Sequence, residues 1–200
     1  MISILIPSVY ERRDTFLPKI LNQLEAQYNF LSVEDKEKVE ILTLIDNKKT
    51  MVGEKRNIML FIAQGDYVVF VDDDDRISDD YIKTLLEATK TNSDIITFKA
   101  EVSLNGEEPK ECIYSMDFET DQNKHNKYYR LPNHICCVKR EIALSIKFPS
   151  VVYGEDSAYS KLLKPILKTQ TFIDKTLYYY DYNDKTTIKQ NKLEKKRLWI

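Results

Sequence analysis

Short apolar runs alternate along the first half of the chain with longer stretches in which apolar side chains recur every three or four residues. Ile2-Ser3-Ile4-Leu5-Ile6 predicts a buried strand stopped by Pro7. Phe16, Leu17, Ile20, Leu21 and Leu24 then fall at helical spacing within 16–28. A second strand is predicted from Val39 to Ile45, and a helix from Gly53 to Ala63 with Ile58, Met59, Phe61 and Ile62 inward. Tyr67 to Val71 is a third strand and runs into four aspartates. Ser78, Asp79 and Asp80 offer N-caps for a helix to Ala88, and Asp94 to Phe98 is a fourth strand. Strand–helix alternation of this kind requires a largely parallel sheet covered on both faces.

The second half is less regular. Asn105-Gly106 predicts a turn between two antiparallel pieces, and 117–127, rich in Asp, Asn and Lys, reads as an exposed loop. Ile135 to Val138 is a short strand, and helices follow from Arg140 to Ile146 and from near Glu155. Two last strands are read at Thr171–Ile173 and Thr176–Asp181. No repeat and no low-complexity linker divides the 200 residues, so one domain is expected.

Composition adds little to this picture: 42% hydrophobic and 31% charged residues, with a net charge of −2, describe an ordinary globular chain with no polyanion partner implied. The uneven part is the end. Lys185, Lys189, Lys192, Lys195, Lys196 and Arg197 face only Asp184 and Glu194, while Leu193, Leu198, Trp199 and Ile200 give that segment an apolar side. Cys112, Cys136 and Cys137 have no zinc-type spacing and read as reduced, buried thiols of a cytoplasmic protein. The N-terminus lacks a signal peptide's basic flank, and no run approaches a membrane span, so any membrane contact would be peripheral.

Chemistry concentrates in Asp72-Asp73-Asp74-Asp75. These aspartates follow the apolar run Tyr67 to Val71, and ligands of open α/β sheets bind at such carboxyl ends. Four adjacent carboxylates repel one another unless a cation compensates. On an extended segment Asp72 and Asp74 would point the same way and converge on one ion. Hard oxygen donors suit Mg²⁺ or Mn²⁺ shared with phosphate. The bland alternative is a solvated acidic turn.

The order of motifs resembles the family 2 glycosyltransferases over about residues 1–182. The resemblance is carried by Ile2 to Ser8, Ile41 to Asn47 and Gly53-Glu54-Lys55-Arg56-Asn57. Ala63-Gln64-Gly65-Asp66-Tyr67 and Phe70-Val71-Asp72-Asp73-Asp74-Asp75 complete it. It implies the GT-A fold: a Rossmann-like αβα sandwich whose central sheet is mostly parallel, with a small antiparallel element in the second half. One catalytic domain is implied over 1–182. Its nucleotide-binding half is about 1–100, its acceptor half about 101–182, and 183–200 form a basic tail.

It also implies a UDP-sugar donor and a Mn²⁺ or Mg²⁺ cofactor. By the match Asp74 is the direct metal ligand, Asp72 lies near ribose and metal, and Asp73 belongs to the nucleotide site. Pro7 and Ser8 form the nucleotide-binding turn, and Asp46 bonds the base imino nitrogen with Glu11 nearby. Arg12 or Arg13 flanks the base, Arg13 being the one assigned to the donor site. Lys55 and Arg56 approach base or diphosphate, where cations offset negative charge.

Gly154-Glu155-Asp156-Ser157, after Tyr153, resembles the motif that supplies the catalytic base of inverting members. Asp156 is then the base, and Glu155 orients it or contacts the acceptor. A helix N-terminus favours such a carboxylate as the anion, and plain helix capping is the competing reading. His134, before a strand, is a candidate for the diphosphate or the metal; His125, in a polar loop, is not. The tyrosines of 178–182 read as one strand with alternating faces, the outward ones able to stack on a sugar.

Two rival functions share these features. A nucleotidyltransferase would carry a glycine-rich phosphate loop after its first strand, and Pro7-Ser8-Val9-Tyr10 is no such loop. A non-catalytic binding module would use the carboxylates to hold metal alone. The acceptor stays open among polysaccharide, lipid, protein and modified DNA base.

Overall fold

In the computed structural model, which describes residues 1–151 and 154–183, the opening apolar run becomes β1 (Ile2–Val9), buried from Ile2 to Ser8. A helical turn at Tyr10–Arg12 leads to α1 (Leu17–Phe30), and a short α2 (Val33–Lys36) to β2 (Val39–Asp46). α3 (Val52–Ile62), β3 (Tyr67–Phe70), a two-residue β4 (Arg76–Ile77) and α4 (Tyr81–Thr89) follow. Then come β5 (Ile95–Leu104), β6 (Lys110–Tyr114), β7 (Gln122–Lys124), β8 (Lys127–Arg130) and β9 (Cys137–Lys139). α5 (Arg140–Ser145), α6 (Glu155–Leu163) and β10 (Gln170–Tyr182) complete the described chain.

β1 lies between β2 and β3, parallel to both. β9 enters antiparallel between β3 and β5, and β10 runs parallel to β5 along its other edge. The far half of β5 pairs with β6, which opens a small branch through β8 to β7. α1 packs with α4, whereas α3 packs with α5 and α6, so helices cover the sheet in two separate groups. Ile20 and Leu24 of α1, Leu85 of α4, Ala143 of α5 and Leu163 of α6 are all fully buried in the common core. This is the αβα sandwich expected. Among the described residues no helix is long and apolar enough to cross a membrane.

Several local expectations are corrected. Pro7 does not stop β1, which continues to Val9. The Leu5 carbonyl accepts from Val71, so Leu5, and Pro7 two residues on, face the β3 side. Pairing with β3 ends at Leu5, so the missing N–H of Pro7 costs no ladder bond. The two last strands are one, with its register shifting between Ile173 and Tyr178 where Asp174 and Lys175 turn out to bind Lys99 and Asp80. The polar segment 117–127 contains β7, closed onto β8 by His125 and Asn126 at φ 53° and 58°. Asp80 is the N-cap of α4, but its side chain caps no backbone N–H; its carboxylate takes Ser78 and Thr84 hydroxyls and Lys175 instead. Gly53 has a packing reason: a Cβ there would stand 2.4 Å from the Pro149 carbonyl oxygen, against which α3 begins. The basic tail from Asp184 on, with Leu193, Leu198, Trp199 and Ile200, and Tyr153 lie outside the described residues.

Candidate active site

A cavity of about 690 Å³ opens at the carboxyl ends of β1 and β3 and extends over β5, β6, β8 and β10. The aspartates that line it do not continue β3. The Asp75 N–H donates to the Asp72 carbonyl at 3.2 Å, so the four residues form a turn rather than the extended segment expected. The turn sends each carboxylate to a different partner. Asp72 accepts from Arg56 at 2.8 Å and lies 3.2 Å from His134 Nε2. Asp73 accepts from the Ser8 hydroxyl and from Arg12, whose other terminal nitrogen donates to Asp74 at 2.8 Å. Asp75 accepts from the Tyr178 hydroxyl at 2.6 Å, and that hydroxyl accepts from the Asp72 N–H at 3.1 Å, tying β10 to the turn.

Arg56 is the hinge of this arrangement. It is 2% exposed, and its guanidinium lies 5.7 Å from the Phe70 ring centroid and 5.5 Å from that of Phe148. Phe148 in turn stacks on Tyr159 of α6 at 3.8 Å. One terminal nitrogen holds Asp72, the other Glu155 at the start of α6 at 2.6 Å, and Nε has no partner. Strand end and helix start are thereby joined through one side chain. Lys55, also buried, donates to the Ser8 carbonyl and to Asp46 at 2.5 Å.

The electrostatics follow from these pairs. Burial opposes charge on Asp72, yet Arg56 and then His134 hold it below the usual carboxylate range. Burial wins at Asp73, raising it despite Arg12 and Ser8. Asp75 is raised much further, by burial and then by Asp72 and Asp74. Arg12 is raised although burial opposes its charge, because Asp74 and Asp73 flank it. The turn therefore carries more carboxylate than its cations offset. Among the described residues no three His, Cys, Asp or Glu side chains converge into a metal cage.

Ten of the residues singled out from sequence meet in the cavity wall: Pro7, Ser8, Lys55, Arg56, Asp72, Asp73, Asp74, His134, Glu155 and Asp156. Three do not. Arg13 stacks on Tyr10 at 3.7 Å and pairs with Asp14 at 2.9 Å, and it is the neighbouring Arg12 that reaches the aspartates. Glu11 points outward to Lys48. Asp46 is spent on Lys55 and on the N–H groups of Lys49 and Thr50, both at 2.8 Å, closing the turn after β2. Asp156 is half-buried, and its carboxylate accepts from the Ser157 N–H at 2.7 Å. It is the one cavity aspartate or glutamate for which no direct ion pair or tyrosine hydrogen bond is found among the described residues, although its charge helps to raise Arg56. Sequence reasoning missed the Tyr178–Asp75 link and the cavity wall contributed by Tyr128 and Arg130, whose segment carries no motif.

Fold and pocket define a class: a GT-A α/β domain with its ligand cavity at the carboxyl ends of parallel strands. Residues 3–142 match the sequence profile of glycosyl transferase family 2, and the chain belongs to that family. Comparison with curated protein sequences gives no match. Among solved structures, TarS 1–349 of S. aureus superposes with a TM-score of 0.64 at 19% identity over 90% of this chain. The same fragment in complex with UDP-GlcNAc superposes equally well, over 91% of this chain. A197 from STIV gives 0.51 at 17% identity, covering 92% of this chain and 86% of that one. The chain spans only 60% of the TarS fragment, and at these identities the likeness shows the fold alone.

Proposed function

We propose that the protein moves a sugar from a UDP-sugar to an acceptor hydroxyl by a metal-assisted single displacement that inverts the anomeric centre. The observation that carries this reading is the presence of two carboxylate sites in one cavity: the cluster at the end of β3, and Asp156 at the start of α6, with no direct ion pair found for it among the described residues. UDP is the donor nucleotide inferred because the TarS fragment of like fold is crystallised with UDP-GlcNAc.

The oxygen donors of the turn suit a divalent ion in kind, although no three candidate ligands converge among the described residues. Asp72 and Asp74 are the more open carboxylates of the turn, 27% and 29% exposed, and the acid surplus around them is what a cation would offset. Asp74, with Asp72, would hold Mn²⁺ or Mg²⁺, with His134 beside Asp72. The ion would supply charge neutralisation on the departing diphosphate. Ser8 and Lys55 shape the nucleotide end of the cavity. Asp156, at the start of α6, accepts the proton of the acceptor hydroxyl as its oxygen bonds to the anomeric carbon. The bond from that carbon to the diphosphate oxygen breaks with its electron pair leaving on UDP.

Thermal unfolding with UDP tests the donor assignment. A ligand bound only by the native state raises Tm. UDP should raise it when Mn²⁺ is present and lose most of that effect in EDTA or in Asp74→Ala. A larger shift with a purine diphosphate, or one indifferent to metal, would overturn the donor and metal assignments.

A further inference from the structure

The first two turns of α3 face the segment that leads towards α6. Gly53 abuts the Pro149 carbonyl, and the Ser150 hydroxyl donates to Glu54 at 2.7 Å. Asn57 makes the firmest hold. Its Nδ2 donates to the Phe148 carbonyl and its Oδ1 accepts from the Phe148 N–H, both at 2.9 Å. One carboxamide thus serves both polar groups of a residue far along the chain, as a residue of a neighbouring strand would. Asn and Gln alone among side chains carry such a donor and acceptor side by side on one planar group without charge.

Through Phe148 that hold reaches the cavity. The Phe148 ring is 2% exposed and lies between two elements that carry cavity carboxylates. On one side it meets Phe70, two residues before Asp72, edge-on at 5.5 Å. On the other it stacks on Tyr159 at 3.8 Å, with the ring planes 7° apart. Tyr159 follows Asp156 within α6 by roughly one helical turn. A shift of Phe148 therefore moves Asp156 relative to the aspartate turn. The start of α6 is not fixed by a cap of its own: Gly154 enters it at φ 74°, and no side-chain cap bond is made there. The Arg56–Glu155 pair at 2.6 Å ties down one side chain of the first turn, whereas the stack holds the helix body.

A general base works only within hydrogen-bond reach of the proton it takes, and a misplacement of about 1 Å can cost about 10²-fold in rate. We propose that, on the transferase reading above, Asn57 is a positioning residue for Asp156: by holding the Phe148 backbone at both polar groups it sets where α6 carries the base relative to the aspartate turn. Asn57 does not itself line the cavity, so it acts through Phe148 and Tyr159.

Four proteins test this: wild type, Asn57→Ala, Asp156→Asn and the double variant. Each is assayed for UDP release from the UDP-sugar that the wild type turns over, for UDP affinity by calorimetry and for Tm. Asn57→Ala should lower kcat about 10²-fold. Its UDP affinity should stay within about twofold of wild type, because Ser8 and Lys55 are untouched. In the Asp156→Asn background the same substitution should cost less than about threefold more, since a base already removed cannot be misplaced. Asn57→Ser, which keeps a polar group at a half-buried position, should show the same pattern in milder form. Unchanged kcat in a folded Asn57→Ala, an equal loss in both backgrounds, or UDP affinity falling in step with kcat would overturn the assignment. So would failure of both Asn57 variants to fold, which would make the bond pair a requirement of the fold. Full turnover by a folded Asp156→Asn would instead sink the reading of Asp156 as base, and the inference with it, whatever the Asn57 variants do.

Discussion

Arg56 joins two elements that arrive from distant parts of the chain, and both of its ionic partners are carboxylates of the cavity. Breaking a buried pair leaves uncompensated charge, which costs about 3–5 kcal/mol. Arg56→Ala should therefore lower unfolding free energy by that order in urea titrations. Arg13→Ala, which removes only a surface stack and an exposed pair, should cost less than about 0.5 kcal/mol. Equal effects would remove Arg56 from its structural position. Residue types were legible in the sequence at this scale, but their partners were not. Arg12 and Arg13 are chemically equivalent neighbours, and only the helical turn at Tyr10–Arg12 decides which one faces Asp73 and Asp74. The Lys55 partner of Asp46, nine residues away across a turn, was likewise not legible.

Among the elements, β5 is the hub, since β9, β6 and β10 all pair with it. Asp94, just before it, fixes the crossing. Its carboxylate accepts from the N–H groups of Lys168 and Thr169 at 2.9 and 3.2 Å and from Lys139 Nζ at 3.3 Å. Burial opposes its charge, but the Lys168 N–H and Lys139 hold it below the usual range. A carboxylate depressed in the folded state adds stability that is full above the unfolded pKa of about 3.9 and lost as pH falls through the folded value. Unfolding followed by circular dichroism should show Asp94→Ala destabilised by about 2 kcal/mol at pH 7, with the gap to wild type narrowing below pH 4. A pH-independent gap would mean packing rather than charge. The parallel half was legible because its strands are apolar runs separated by helical periodicity. The β7–β8 hairpin was not, because His125 and Asn126 adopt left-handed backbone without the glycine that advertises such a turn.

For the whole molecule, the position of the cavity follows from topology, since parallel strands converge their carboxyl ends on one side. That is why its carboxylates could be picked out from sequence. The wall contributed by Tyr128 could not, because that residue joins the tyrosines of 178–182 only once β8, β6, β5 and β10 are in register. Asp156 is a cavity carboxylate at the start of α6. Its role is the central claim. Steady-state release of UDP should be followed for the UDP-sugar that the wild type turns over, with UDP-GlcNAc tried first. Asp156→Asn keeps side-chain volume, so it should retain wild-type Tm and UDP affinity while kcat falls on the order of 10²–10⁴-fold. Wild-type turnover by a folded Asp156→Asn that binds UDP normally would contradict the account, leaving Asp156 a helix cap and placing the base elsewhere.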